Sequence, residues 1–232
     1  MTPDAALSGI LSAVITLCQE RANEGFATAG LLADIAGQAR TAPANPDPPA
    51  PRQLPACRHL ARALSLAERG PAAEVAEAFA AMAKRLSWIQ NANYLRDSIM
   101  RAFLADYAYV ELVGPGGIAR EADTALGMLL ISPQSKYPPH RHPAQEVYLV
   151  LAGEANWWRK GELWRILPAA ALVHHKPDVA HAMRTLNQPL LAALRLARRD
   201  RHRRPACRKL GSVRRRAQLA VRRSRRSRRL DR

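Results

Sequence analysis

Tyr137-Pro-Pro-His140-Arg-His142-Pro-Ala-Gln-Glu146-Val-Tyr148-Leu-Val-Leu-Ala-Gly153 is the stretch on which the reading of this chain turns. His140, His142, Glu146 and Tyr148 share one parity. In extended chain, successive side chains alternate, so these four point to one face and Val147, Leu149 and Leu151 to the other. A face of imidazoles, a carboxylate and a phenol has no evident stability reason to exist, because burying such groups unpaired is costly. A metal ion is the simplest way to satisfy them. A second cluster follows in His174-His175-Lys-Pro-Asp-Val-Ala-His181. A strand pair would bring His181 opposite the first cluster. His174 and His175 are neighbours and face opposite ways, so at most one of them reaches the site. Histidines with one glutamate are a common donor set for a single divalent transition metal: Zn, Fe, Mn, Co or Ni.

Outward from this segment the chain reads as short strands separated by turns. Tyr107–Val113 runs into Gly-Pro-Gly-Gly at 114–117. Ala125–Ile131, Glu146–Leu151, Leu163–Leu167, Ala171–His174, Ala180–Arg184 and Leu190–Leu196 follow. Even spacing of short strands predicts a β-sandwich or barrel. Upstream the texture is helical. Leu7, Ile10, Leu11, Val14, Ile15 and Leu17 recur at helical spacing within 5–40. Residues 57–69 and 71–90 are helical by the same criterion, with Val75, Phe79, Met82 and Leu86 as an apolar stripe. Between them, 42–55 holds six prolines and predicts an extended loop. The expected organisation is a helical region over 1–104, a β-barrel over 105–196 and a tail over 197–232.

The 232 residues carry a formal charge of +17, and the excess is concentrated in the tail. Residues 1–194 have a net charge of +1, and 195–232 a net of +16. The body is therefore electrostatically ordinary, and its apolar content of 48% across the chain suits a packed core rather than disorder. No stretch reaches the roughly 18 apolar residues of a membrane helix. Asp4 stands where a signal peptide would carry positive charge. Cys18, Cys57 and Cys207 are too few and too far apart for a disulfide framework, which suits a reducing, cytoplasmic setting.

His140-x-His142-x3-Glu146-x6-Gly153 resembles the core of the first cupin motif, and His181 sits where the second cupin motif supplies its histidine. Two glycines of the cupin pattern are replaced, by Gln134 and by Asp178. Tyr-Pro-Pro-His-x-His-x3-Glu-x-Tyr, a Trp-rich hairpin and His-His-x-Pro-x3-His-Ala-Met together resemble the cupin-type dimethylsulfoniopropionate lyases. The resemblance implies a mainly β fold, a cupin jelly-roll barrel preceded by an α-helical region. It implies metal ligands at His142, Glu146 and His181, with Tyr148 as a further ligand or catalytic base. His140 would ligate or line the site, and Tyr137 matches another active-site tyrosine. The implied reaction is β-elimination of a small sulfonium carboxylate to dimethyl sulfide and acrylate. Tyr148 or Tyr137 as phenolate would take the proton, and Trp157, Trp158 and Trp164 would form a wall for the cationic sulfonium.

Two other functions share these features. The same donors serve cupin dioxygenases and isomerases, and fold alone does not decide the reaction. A cupin sensor with a nucleic-acid-binding arm is the third reading, resting on the tail. That tail has Arg runs at 214–216, 222–223, 225–226 and 228–229, no aromatic residue and an expected lack of independent structure. Arg, Ala, Pro and Ser are also what a GC-rich gene yields out of frame. A frameshift inside the strand beginning at Leu190 would leave the barrel with an open edge. Nucleic acid is a partner only if the tail is a genuine arm, and a homodimer is left open.

Overall fold

The computed structural model describes residues 3–24, 30, 32, 33, 36, 37 and 39–197. Helix α1 (Pro3–Asn23) starts with a proline, whose missing N–H matters little in a first turn. It buries Leu7, Ile10, Leu11, Val14 and Leu17, one stripe at helical spacing. Helices α2 (Leu60–Ala67) and α3 (Ala73–Ala83) follow, the first entered through a 3-10 turn at Pro55–His59. The helix expected over 71–90 stops at Ala83. Beyond it Leu86 and Trp88 are still buried, but outside the helix. Trp88 donates its backbone N–H to Arg52 O at 3.0 Å, and Ile89 exchanges backbone bonds with Tyr109. The Pro-rich loop and the first barrel strand thus take up backbone groups that a longer helix would have used. A second 3-10 turn at Ala92–Arg96 leads to α4 (Ser98–Phe103), capped by the Asp97 carboxylate on the N–H groups of Ile99 and Met100.

Among the described residues nine strands follow: β1 Tyr107–Val113, β2 Thr124–Ile131, β3 Lys136–His140, β4 Gln145–Ala152, β5 Ala155–Arg159, β6 Arg165–Leu167, β7 Leu172–His175, β8 His181–Thr185 and β9 Leu190–Ala197. They form a five-stranded sheet, β1-β2-β9-β4-β7, and a four-stranded sheet, β3-β8-β5-β6, antiparallel throughout. This is the double-sheet jelly roll of the cupin type. Two strands exceed the sequence expectation. β3 contains Pro138 and Pro139, which discourage a strand assignment, but it is an edge strand, where missing N–H donors are tolerated. β5 is the Trp-bearing arm of the expected hairpin.

The larger sheet is covered on both faces. Val147, Leu149 and Leu151 pack with the helices, while Tyr148 and Val150 turn inward to a second core with Trp157, Val173 and Met183. Burial on both faces explains why β4 and β9 read as apolar runs rather than alternating strands. β9 lies at the centre of its sheet and pairs with both β2 and β4 as far as Ala197. The change of composition near Arg195 therefore does not leave the sheet open there. Arg195 is accommodated, donating to Gln145 Oε1 at 3.1 Å. The rest of the basic tail, with the expected disorder and nucleic-acid role, lies outside the described residues.

The positions where the cupin pattern expects glycine keep a glycine backbone. Gln134 has φ 55° and Asp178 φ 61°. Left-handed backbone costs an ordinary residue roughly 1–2 kcal/mol, part of which glycine returns through its greater freedom when unfolded. Gln134→Gly is expected to stabilise the protein by up to about 1 kcal/mol, read as a higher thermal midpoint. A lower midpoint would show that the Gln134 side chain contributes more than its backbone costs.

Candidate metal centre

The register builds the centre. On the smaller sheet His140 in β3 lies opposite His181 in β8, and on the larger sheet Glu146 in β4 lies opposite His175 in β7. His142 sits in the short loop joining β3 to β4. The sheets face each other, so both pairs meet inside the barrel. Glu146 and His181 are buried, with 4% and 3% of their surface exposed, and His175 retains 1%.

Three imidazoles are held the same way. His140 Nδ1 lies 2.8 Å from Pro138 O, His142 Nδ1 3.0 Å from Ala144 O, and His181 Nδ1 2.9 Å from Val179 O. A carbonyl oxygen only accepts, so each Nδ1 carries a proton and donates it. In the neutral ring this leaves the Nε2 lone pair free, the state of an oriented metal ligand. Glu146 Oε2 lies 3.2 Å from His181 Nε2 and 3.5 Å from His142 Nε2. The first distance suits a hydrogen bond, yet neither Glu146 Oε2 nor His181 Nε2 makes one with acceptable alignment. Two ligands about 2.1 Å from a shared ion, at angles of about 90–110°, lie about 3.0–3.4 Å apart. The orphaned, buried donors and their spacing fit a divalent metal.

The electrostatics agree. Burial opposes ionisation of Glu146, but the imidazoles of His142 and His181 outweigh it and hold the carboxyl well below the usual range. Burial lowers His140 to about 4, so its ring is neutral near pH 7. Burial also lowers His142, but its contacts with Glu146 reverse the sign and raise it. The phenols run the other way. Tyr148 donates to Glu146 Oε1 at 2.7 Å, and burial, then the Glu146 charge, push it well above the ordinary tyrosine value. Tyr137 is raised likewise, by burial first, and its hydroxyl shares a 2.6 Å hydrogen bond with that of Tyr94. In the metal-free site, burial thus favours the hydroxyl form of both tyrosines.

A cavity of about 410 Å³ opens beside these groups, lined by His142, Glu146, Tyr148, Tyr137, Tyr94, Tyr107 and Tyr109 among others. Its aromatic wall is tyrosine. The expected tryptophan wall is split by strand alternation. Trp157 points inward and packs 5.1 Å from Tyr148 and 6.1 Å from His175. Trp158 takes the opposite face of β5. It stacks on Trp164 at 6.2 Å, with the Arg184 guanidinium 4.5 Å over the Trp164 ring. A guanidinium thus occupies a ring face expected to meet substrate. Sequence reasoning missed Tyr107 and Tyr109, although their shared parity on β1 was a usable signal. Tyr94 stands in an irregular turn that gave none. The adjacent pair divides as expected, with His175 inside and His174 outside against Gln145.

Relatives share this architecture. The family model for dimethylsulfoniopropionate lyase matches residues 30–192. The chain is 33% identical over 136 residues to DddL of Cereibacter sphaeroides, covering 58% of this chain and 55% of that protein. It is 31% identical over 120 residues to dimethylsulfoniopropionate lyase DddQ of Ruegeria pomeroyi, covering 52% and 59%. The chain thus spans little more than half the length of these two curated relatives. The crystal structure of DMSP lyase DddQ from Ruegeria pomeroyi superposes with a TM-score of 0.56 at 26% identity, over 78% of this chain and 91% of that one. A chain from the crystal structures of the DMSP lyases RdDddP and RnDddQII reaches 0.66 at 22% identity over 84% and 94%, a likeness of fold. With a jelly roll of this topology and a family match across most of its length, the chain belongs to the dimethylsulfoniopropionate lyase family.

Proposed function

We propose that the protein is a metal-dependent carbon–sulfur lyase that cleaves dimethylsulfoniopropionate by β-elimination. The observation that carries the proposal is the convergence of three backbone-pinned imidazoles and a buried Glu146 beside a tyrosine-walled cavity, within a chain of this family. His140, His142, Glu146 and His181 would hold the ion. A divalent cation bound there would stabilise charge at the carboxylate end of the substrate and favour the phenolate of a neighbouring tyrosine.

The chain's own groups divide the remaining work. Tyr148, whose hydroxyl donates to Glu146 Oε1 at 2.7 Å, is placed to take the α-proton once, with a cation bound, its own proton has been lost to solvent. Tyr137, bonded to Tyr94, is the second candidate. The C–H electron pair becomes the C=C bond of acrylate, and the C–S pair departs with sulfur as dimethyl sulfide. The sulfonium would lie against the tyrosine rings, each such contact worth about 0.5–2 kcal/mol to a cation. In domain terms, the helical region over 1–104 would back the larger sheet, the barrel over 105–196 would hold the site, and 197–232 would lie outside the chemistry.

The test is dimethyl sulfide in the headspace and acrylate in solution, in equal amounts, from metal-reconstituted protein given dimethylsulfoniopropionate. Metal uptake without either product would leave a cupin metalloenzyme of another reaction class.

A further inference from the structure

The mechanism leaves His175 without a role. Its ring stacks on that of His181, with centroids 3.9 Å apart and planes at 11°, and neither nitrogen has a hydrogen-bond partner. An unpaired buried polar group is destabilising, a cost that a phenyl ring in the same slot would avoid. The three neighbouring imidazoles are each pinned through Nδ1 to a carbonyl. His175 has no such pin, so no hydrogen bond opposes rotation of its ring.

Ligand atoms of Glu146, His175 and His181 lie within 4.8 Å of one another, and so do those of His140, His142 and His181. The two sets share His181, whose Nδ1 is committed to Val179 O. Only Nε2 remains, and one lone pair serves one ion. Glu146 Oε2, near both His181 and His142, borders both sets.

We propose that the centre offers two overlapping, mutually exclusive cation positions that share Glu146 and His181: an outer one completed by His140 and His142, and an inner one completed by His175. The inference rests on the metal reading above and adds a ligand and a position to it. An ion would move between positions by exchanging the pinned imidazoles of the β3 side for the unpinned imidazole of β7.

Cobalt(II) tests this, because its visible absorption reports the ligand set without any turnover. Wild-type protein should bind one ion per chain. His175→Phe keeps the stack on His181 but removes both nitrogens, and His140→Phe removes the outer position's edge. Each single variant should still bind one cobalt ion, with a spectrum distinct from wild type and from the other. Adding His175→Phe to His140→Phe should weaken cobalt binding by about 10-fold or more. Metal-free His175→Phe should melt no lower than wild type, and His175→Leu repeats the set should the phenyl ring not fit. An unchanged spectrum and affinity in His175→Phe, alone and beside His140→Phe, would overturn this inference and leave the metal reading standing. Two cobalt ions per chain would also overturn it, and wild type taking up none would overturn both.

Discussion

Glu146→Gln is expected to abolish metal binding and, with it, the proposed lyase activity, while leaving the protein folded: this is the largest effect expected of any single change. The amide keeps the side chain's volume, and its oxygen can still accept from the Tyr148 hydroxyl, as the carboxylate does at 2.7 Å. What disappears is the charge facing His142 and His181. Changes to groups that merely orient metal ligands cost about 10–100-fold in affinity, and loss of a charged ligand should exceed about 100-fold. Zinc or cobalt titration by calorimetry measures the loss, and headspace dimethyl sulfide should fall in parallel. The metal-free variant should keep its β-rich circular dichroism, because removing a buried carboxylate also removes its desolvation. Wild-type metal affinity in this variant would take Glu146 out of the centre.

Tyr148→Phe is expected to separate chemistry from metal binding. The ring stays packed 5.1 Å from Trp157, so the inner core is undisturbed, and only the hydroxyl is lost. Removing a general base reduces the rate by about 10²–10⁴-fold, and the protein should still bind metal. A modest destabilisation of about 1–3 kcal/mol accompanies it, because Glu146 Oε1 loses its donor. Tyr137→Phe loses a hydroxyl whose partner is Tyr94, and a smaller fall is expected. The reverse ranking would transfer the role of base to Tyr137.

The core of the centre was legible because its signal is local. Alternation holds within β4, where Glu146 and Tyr148 share a face. His140 ends β3 on the opposite sheet, so the loop at 141–144 and the facing of the two sheets, not one extended face, bring it to Glu146. The β3–β8 pairing brings His181 opposite His140. Strand ends were legible where apolar runs meet turn residues, as at Tyr107–Val113. Other features were less visible for physical reasons. Prolines mask β3, since a sequence does not say which strand will lie at a sheet edge. The helical stripe continued through Leu86, but long-range backbone pairing with Arg52 took that segment out of the helix. Proximity in sequence groups the tryptophans, but adjacent residues on a strand face opposite ways, so Trp157 and Trp158 part company. Tyr94 reaches the cavity from a turn with no periodicity at all.

The central place of β9 also governs how the protein is made. β2 and β4 are not neighbours; each pairs with β9, the last strand in the described chain. During synthesis both emerge with an unpaired apolar edge and wait for Ala197 before either can be covered. The pairings β9 makes span most of the barrel sequence, and such non-local contacts form slowly. The nascent protein is thus expected to depend on chaperones for longer than a meander of equal size, whose strands pair in order of appearance.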